Sequence, residues 1–451
     1  MVSTKRLSVL LLVVLLIGVL SLPAQAQDAT AEATTSVVTA GATIPASKCA
    51  APGDLTVRVW DENWAKTLKA ATAAWVSEYC PGASVTIDQV PWSNYWDKLK
   101  IDASSGDLPD LFNLNQATGY YYASNGALLD LTPYFDKAGI ASTIWGPGLI
   151  DPYRYGADKD IYAAPLEWVT AAIFYNKDLF DKAGLAYPTA DWTWDDYAKD
   201  AAALTDKANG VFGSASWAEY VAGWGSWIAS TGVPPQVTQD HTTCTLTEPG
   251  SIEALNFLKG LQDKGYSPSV SQLGGSGADD EYNLFKSGKV GLYLGGNWKL
   301  PNTKTDLAFN WDIVTMPHNP TTGFSRPVLH ASSWAAAATS KNPELSANLV
   351  QYLISDEGQK FFADAGGVAP SDPNPALQQA WVDSFGAAGK NIQAFVDATK
   401  DSQGYTQFSG DSIDKATSDM ITNIFDLNMS VEDATKAACD GMKPDLLAPA
   451  S

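Results

Sequence analysis

The sequence predicts an α/β protein built from two helix-covered sheets. Three observations carry this. A strand–helix–strand–helix–strand run extends from Leu55 to Leu114, the pattern that begins a parallel sheet with helices on its faces. A second alternation of strands and helices extends from Phe174 to Met316. The chain has 451 residues, too many for one ordinary core, which implies two domains of common size.

Each element follows from local pattern. Leu55 to Trp60 alternates β-branched and polar residues, as a strand does. Asp61, Glu62 and Asn63 can cap a helix, and Leu68, Ala71, Trp75 and Val76 repeat at helical spacing over Trp64–Tyr79. Pro81 and Gly82 stop that helix, and Ala83–Val90 reads as a second strand. Asp97–Ser104 is expected to be helical, Gly106 to end it, and Asp110–Leu114 to form a third strand. In the second region Phe174 and Tyr175 belong to a strand, and Trp194–Thr205 and Ser251–Lys264 to helices. Val290–Leu294 is a strand ending at Gly295-Gly296-Asn297-Trp298, and Trp311–Met316 is a strand closed by Pro317. Asn342–Phe362 reads as one long amphipathic helix, and the remaining C-terminal third as mostly helical. No internal repeat is present.

The N-terminus reads as an export signal. Lys5 and Arg6 precede an apolar run from Leu7 to Leu22, Pro23 breaks it, and Ala24-Gln25-Ala26 offers small residues to a signal peptidase. The run is short for a span of about 20 residues, so a membrane anchor is the weaker reading. The expected organisation is a signal peptide over 1–26, cleaved after Ala26, and a flexible tether over 27–53. The Ala/Thr/Ser/Val-rich stretch Gln27–Ser47 has almost no charge and no aromatic residue. No cysteine stands at the cleavage point, so no lipid anchor is expected, and the mature chain should be periplasmic or extracellular.

The formal net charge is −21. Nucleic-acid phosphates demand clustered Lys and Arg, so that partner is excluded, and direct membrane insertion is not expected. The acid is spread through the chain, as on a solvated surface. Cys49, Cys80, Cys244 and Cys439 allow three connectivities and form no C-x-x-C. The expected pairs are Cys49–Cys80 and Cys244–Cys439, the first tying the N-terminal arm to the end of the first helix.

Catalytic patterns are absent. His241, His318 and His330 are isolated, with no metal-ligand spacing, and no G-x-S-x-G elbow occurs. Gly274-Gly275-Ser276-Gly277 lacks the Lys-Ser/Thr of a phosphate loop, and Asp279-Asp280-Glu281 is too compact for an EF-hand and suits a helix N-terminus. Neither a cofactor nor a metal is expected. No pair of carboxylates stands out for glycoside hydrolysis.

Tryptophan is the unusual residue, with sixteen copies. Trp60, Trp64, Trp92, Trp96, Trp168, Trp217, Trp224, Trp298 and Trp334 fall near strand ends, where ligands bind open α/β sheets. A pyranose packs its flat C–H face on an indole, and its hydroxyls need donors and acceptors. Asp61, Glu62, Asn115, Gln116, Glu167 and Asn297 flank the same strand ends. Trp75 and Trp194, embedded in helices, belong to the core instead. At Gly295-Gly296-Asn297-Trp298 the glycines would let backbone approach a ligand closely.

The order of motifs resembles a family, the extracellular solute-binding proteins of ABC importers, in the carbohydrate-binding, maltose-binding-protein-like cluster. The matching residues are Ser105-Gly106-Asp107-Leu108-Pro109-Asp110-Leu111-Phe112, Ser124 to Leu131, Ile161 to Pro165 with Phe174-Tyr175-Asn176-Lys177-Asp178-Leu179-Phe180, Phe285 to Gly291 with Gly295 to Trp298, Ser333-Trp334, and Ser355 to Gln359. The resemblance implies the type II periplasmic-binding-protein fold, two α/β lobes joined by a hinge of crossing strands. Lobe one would hold 54–165 and 330–370, lobe two 166–329 and 371–451. It further implies a non-catalytic, monomeric receptor that carries a mono- or oligosaccharide to the transmembrane subunits of an ABC permease. Carried over by position, Asp61 and Glu62 match the loop after the first strand, Trp92 the loop before the second helix, and Asn115 with Gln116 the loop after the third strand. Glu167 and Trp168 match the hinge strand, Trp217, Tyr220 and Trp224 the aromatic region of lobe two, Asn297 and Trp298 the G-x-W turn, and Phe408 the C-terminal aromatic wall. Asn115 to Thr118 lacks the charged pair of maltose-binding members, which points away from maltose itself. The alternatives are the same receptor for a non-sugar solute (a glycerol phosphodiester, a peptide or a polyamine, the last of which would want more converging carboxylates) and a secreted carbohydrate-active enzyme.

Overall fold

The computed structural model describes residues 43–156, 158–273, 278–386, 389–402, 404 and 407–447. The signal peptide, residues 27–42 of the expected tether and the Gly274–Gly277 turn lie outside them. Two sheets organise the chain. The first has five strands in the order β2-β1-β3-β11-β6: β1 (Asp54–Val59), β2 (Ser84–Gln89), β3 (Leu111–Asn115), β6 (Ala163–Val169) and β11 (His330–Ala336). β1 runs parallel to β2 and β3, whereas β11 lies antiparallel between β3 and β6. The second has four strands in the order β10-β7-β9-β8: β7 (Ala171–Asn176), β8 (Phe212–Ala215), β9 (Val290–Gly296) and β10 (Trp311–Val314). A small hairpin joins β4 (Arg154–Tyr155) to β5 (Asp160–Ile161).

β6, β7 and β9 are buried along their whole length. Their near-continuous apolar sequences are those of strands covered on both faces. Helix α1 (Glu62–Glu78) buries Trp64, Leu68, Ala71 and Trp75 on one face and is capped by Asp61, whose carboxylate accepts the Trp64 N–H at 2.8 Å. α2 (Trp92–Ser105) begins five residues before its predicted start, so Trp92 opens a helix and does not lie in a loop. α3 (Gln116–Ser124) is capped by Asn115.

The expected long helix 342–362 is two helices, Pro343–Ile354 and Asp356–Ala365. Ser355 separates them in an extended conformation and accepts the Gly358 N–H on its hydroxyl at 3.3 Å. Apolar periodicity continues through the break, and Ser355 with two acids after it is the cap signature that periodicity hides. Residues 43–53, assigned to the tether, are anchored to the first sheet's helices at a few points and otherwise mostly exposed. Ile44 is buried, its N–H donates to Asp356, and Ser47 donates to Gln351 at 2.9 Å. Disulfides join Cys49 to Cys80 and Cys244 to Cys439.

The C-terminal helices divide between the sheets. Helix Pro375–Gly386 carries Trp381 against Trp168 of β6. Phe395, in helix Gln393–Asp401, packs on Phe174 of β7. Helices Asp411–Phe425 and Val431–Met442 supply Phe425 and Ala438 to the apolar cluster that holds Trp217 and Leu258.

A single residue, Thr170, separates β6 of one sheet from β7 of the other. Asn297 clasps that crossing. Its Nδ2 donates to Trp168 O at 3.0 Å, its Oδ1 accepts from Thr170 N at 3.3 Å, and its backbone N–H donates to Thr170 O at 3.1 Å. Thr170 Oγ1 donates to Val328 O at 3.0 Å, which ties the first crossing to the segment leading into β11. Asn297→Ala would orphan two buried backbone groups, at a cost of about 2–4 kcal/mol. The expected outcome is a urea midpoint well below that of the parent protein, and an unchanged midpoint would show that the clasp contributes nothing to stability.

Candidate functional site

Between the ends of the two sheets lies a cavity of about 600 Å³. From the first sheet come Trp60, Asp61, Asn63 and Trp64 after β1, Trp92 at the start of α2, Asn115 at the end of β3, Glu167 and Val169 on β6, and His330 and Ser332 on β11. Glu219 and Val221 after β8, and Trp298, Lys299, Pro301 and Asn302 after β9, come from the second. Asp279, Gly367 and Gln407 complete the wall. A concavity of similar size, about 620 Å³, sits beside Phe212, Gln262 and Phe425. It draws on one sheet only and no tryptophan lines it, so the cavity between the sheets is the candidate site.

Aromatic packing shapes one side. The Trp60 ring contacts Trp64 at 5.3 Å, Trp92 at 5.2 Å, Tyr95 at 5.2 Å and Trp96 at 5.7 Å between centroids. Trp64 is fixed by donation from Nε1 to Gly367 O at 3.1 Å. All tryptophans are buried except Trp60, Trp92, Trp96 and Trp298, and of these Trp92 is 51% exposed. Gly295 and Gly296 leave room for aromatic side chains of the second sheet and its following turn. A Cβ on Gly296 would run into the Trp298 indole, and one on Gly295 would meet Phe174 at 2.7 Å.

Of the residues singled out by sequence, Trp60, Asp61, Trp64, Trp92, Asn115, Glu167 and Trp298 line the cavity. The others do not. Glu62 is exposed on α1 and pairs with Lys66 at 2.9 Å. Gln116 is buried behind Asn115. Trp168 is buried, with Nε1 donating to Gln378 at 3.1 Å. Trp217 stacks on Phe425 at 4.6 Å in the core, and Tyr220 packs edge-on against Trp224, both buried. Asn297 is the hinge clasp. Phe408 is buried and stacks on His241 at 4.2 Å, while its neighbour Gln407 reaches the wall. Sequence reasoning passed over Glu219, between two named aromatics, and His330, set aside as isolated. It also took Asp279 for a helix cap. Asp279 does stand in the first turn of helix Ala278–Lys286, but it also forms an ion pair with Lys299 across the cavity wall.

Burial sets the protonation of this wall. The Glu167 carboxyl is pushed up to about 8 by desolvation, reinforced by the charge of Asp61 and opposed by a hydrogen bond from Ser332. Glu219 is raised to about 7 by burial, although it accepts the Ala222 N–H at 2.9 Å. Behind it Glu281 is raised to about 8 by burial while accepting the N–H groups of Trp217 and Ala218, which fixes the loop that presents Glu219. Away from the wall, Asp372 is likewise raised to about 8 by burial. Desolvation lowers His330 and His241 to about 4. Among the described residues no group of three or more His, Cys, Asp or Glu could hold a metal ion.

These carboxyls hold protons in the folded state that the unfolded chain releases near pH 4–4.5. The stabilisation is complete below that range and is lost as pH rises toward their folded values near 7 and 8. The two histidines oppose this only below their ordinary value of about 6.5. The melting temperature of the ligand-free protein should therefore fall between about pH 6.5 and 8, and less steeply in Glu167→Gln. A flat or rising profile in scanning calorimetry would contradict the assignment.

Comparison with known proteins agrees with this architecture. The bacterial extracellular solute-binding protein family matches residues 64–394. Similar proteins include the maltodextrin-binding protein MdxE of Bacillus subtilis, 23% identical over 61% of this chain and 64% of that protein. The diacetylchitobiose binding protein DasA of Streptomyces coelicolor is 25% identical over 69% of this chain and 70% of its own. Among solved structures, an ABC substrate-binding protein from Listeria monocytogenes in complex with cycloalternan has a TM-score of 0.75 at 24% identity, covering 87% of this chain and 99% of that one. MalX from Streptococcus pneumoniae in complex with maltopentaose has a TM-score of 0.67 at 21% identity, covering 87% and 100%. These likenesses establish the two-lobed, type II periplasmic-binding-protein fold. With two sheets joined by crossing strands, a cavity between them and the family match over most of its length, the chain belongs to the bacterial extracellular solute-binding proteins.

Proposed function

We propose that this protein is the extracellular receptor of an ABC importer, which captures a mono- or oligosaccharide in the cavity between its sheets and delivers it to the membrane permease. The observation that carries the reading is the composition of the cavity. Trp60, Trp64, Trp92 and Trp298 offer apolar faces suited to the C–H faces of sugar rings, while Asn63, Asn115, Asn302, Gln407 and the carboxyls supply hydrogen bonds to hydroxyls. The similar proteins from Bacillus and Streptomyces are named for maltodextrin and diacetylchitobiose, and the solved relatives hold cycloalternan and maltopentaose, which supports a saccharide here.

One lobe is built on each sheet, and the crossings at Trp168–Ala171 and Val328–His330 act as the hinge. A ligand touching both walls favours the closed arrangement by its extra contacts there, so binding shifts an existing equilibrium. No bond is made or broken in this cycle. No helix among the described residues is long and apolar enough to cross a membrane.

Calorimetric titration against a panel of mono- and oligosaccharides should give saturable binding for at least one. Trp298→Ala should weaken that binding at least about tenfold, as loss of a buried ring contact does, with an unchanged circular dichroism spectrum. Release of reducing ends from the panel would favour the secreted enzyme instead. For the leader, protein recovered from the outside of cells should begin at Gln27; a retained Met1 would refute cleavage after Ala26.

A further inference from the structure

The charges of the cavity wall do not balance. Asp61, Glu167, Glu219 and Asp279 line it, and Lys299 is the only lysine or arginine among its lining residues. Lys299 is already committed. Its side chain is 8% exposed, its ammonium pairs with Asp279, and it lies 5.1 Å from the centroid of the Tyr282 ring. Asp61 accepts from the Trp64 N–H and Glu219 from the Ala222 N–H, both neutral donors. Glu167 is 3% exposed, and the groups acting on it are the Ser332 side chain and the negative charge of Asp61, with no cation among them.

Buried carboxyls without a cation are costly in the ionised state. Of the four, only Glu167 is fully buried with no cation beside it, and burial favours its protonated form. A ligand can meet that cost by bringing positive charge. An anionic ligand finds no uncommitted lysine or arginine on this wall, so phosphorylated sugars and uronates are excluded. A neutral sugar could be satisfied by the amides and hydroxyls of Asn63, Asn115, Asn302, Gln407 and Ser332, which leaves the carboxyls in surplus. Four indoles line the same space, and their faces attract ammonium groups.

We propose that the cavity takes a saccharide carrying a protonated amine, its ammonium seated against Glu167 and Asp61 on the first sheet, an inference that rests on the receptor function proposed above. Glu219 is the poorer seat because Lys299 stands beside it and repels a second cation. Charge-assisted hydrogen bonds to a buried carboxylate are about twice as strong as neutral ones. The amine supplies the counter-charge that the wall lacks, and Glu167 gives up its proton on binding.

Matched ligands test this on the intact protein. Glucosamine and glucose, galactosamine and galactose, and the chitosan disaccharide and cellobiose each differ in hydroxyl against amine. The N-acetylated forms keep the nitrogen without its charge. In calorimetric titration at pH 6.5 an amino sugar should bind at least about tenfold more tightly than its neutral and acetylated partners. Glu167→Gln should remove that advantage. Neutral sugars binding as well as or better than their amino partners would overturn the amine while leaving the saccharide receptor standing. Silence across every pair would overturn both. An amine preference that survives intact in a folded Glu167→Gln variant would refute the seat. If that variant does not fold, the matched pairs on the parent protein decide the matter alone.

Discussion

The relation of one sheet to the other depends on the few places where the backbone crosses between them. β6 is locked between β11 and the helix carrying Trp381, β7 between β9 and β10, and Thr170 alone connects them. Besides a later passage between helices Pro375–Gly386 and Gln393–Asp401, the freedom between the packed sheets rests on a few backbone dihedrals at this point and at the Val328–His330 crossing. Asn297 saturates the backbone around Thr170 from the second sheet and Thr170 bonds Val328. The two crossings are therefore coupled and not independent swivels.

The same crossing explains where the site lies. β6 brings Glu167 and Val169 to the cavity just before the chain leaves the first sheet, and the turn after β9 brings Trp298 and Lys299 to it just after the Asn297 clasp. Hinge and ligand wall are therefore sequence neighbours on both sides. Wall residues Glu167, Val169, Trp298 and Lys299 stand within three positions of Thr170 or Asn297 at the crossing.

Much of this was legible in the sequence. Alternation and helical spacing located the strands and helices because buried faces repeat with the period of the backbone, as in α1 and β1. The family motifs fell on the fold they implied. What failed to show was direction. Periodicity says that a tryptophan is apolar at a strand end, and it does not say whether the ring turns inward. Trp168 and Trp217 turn into the core, while Trp60 and Trp298 turn to the cavity. Glu219 and His330 were invisible because their position depends on long-range partners, the Glu281 carboxyl behind the 217–219 loop and the neighbours of β11. Asn297 has the right chemistry for a ligand, but its amide is spent on the backbone.

The place of β11 has a consequence in time. The first sheet takes three of its strands from before residue 116, yet β3 and β6 are joined only through a strand ending at Ala336. Ile44 and Ser47, near the start of the described chain, find their partners at Asp356 and Gln351. Non-local contacts of this kind form late, since loop closure must precede their reward. A nascent chain therefore cannot complete its first lobe until some three quarters of it has been made. The second sheet, by contrast, has all four of its strands by Val314, so the first lobe is the later of the two to close.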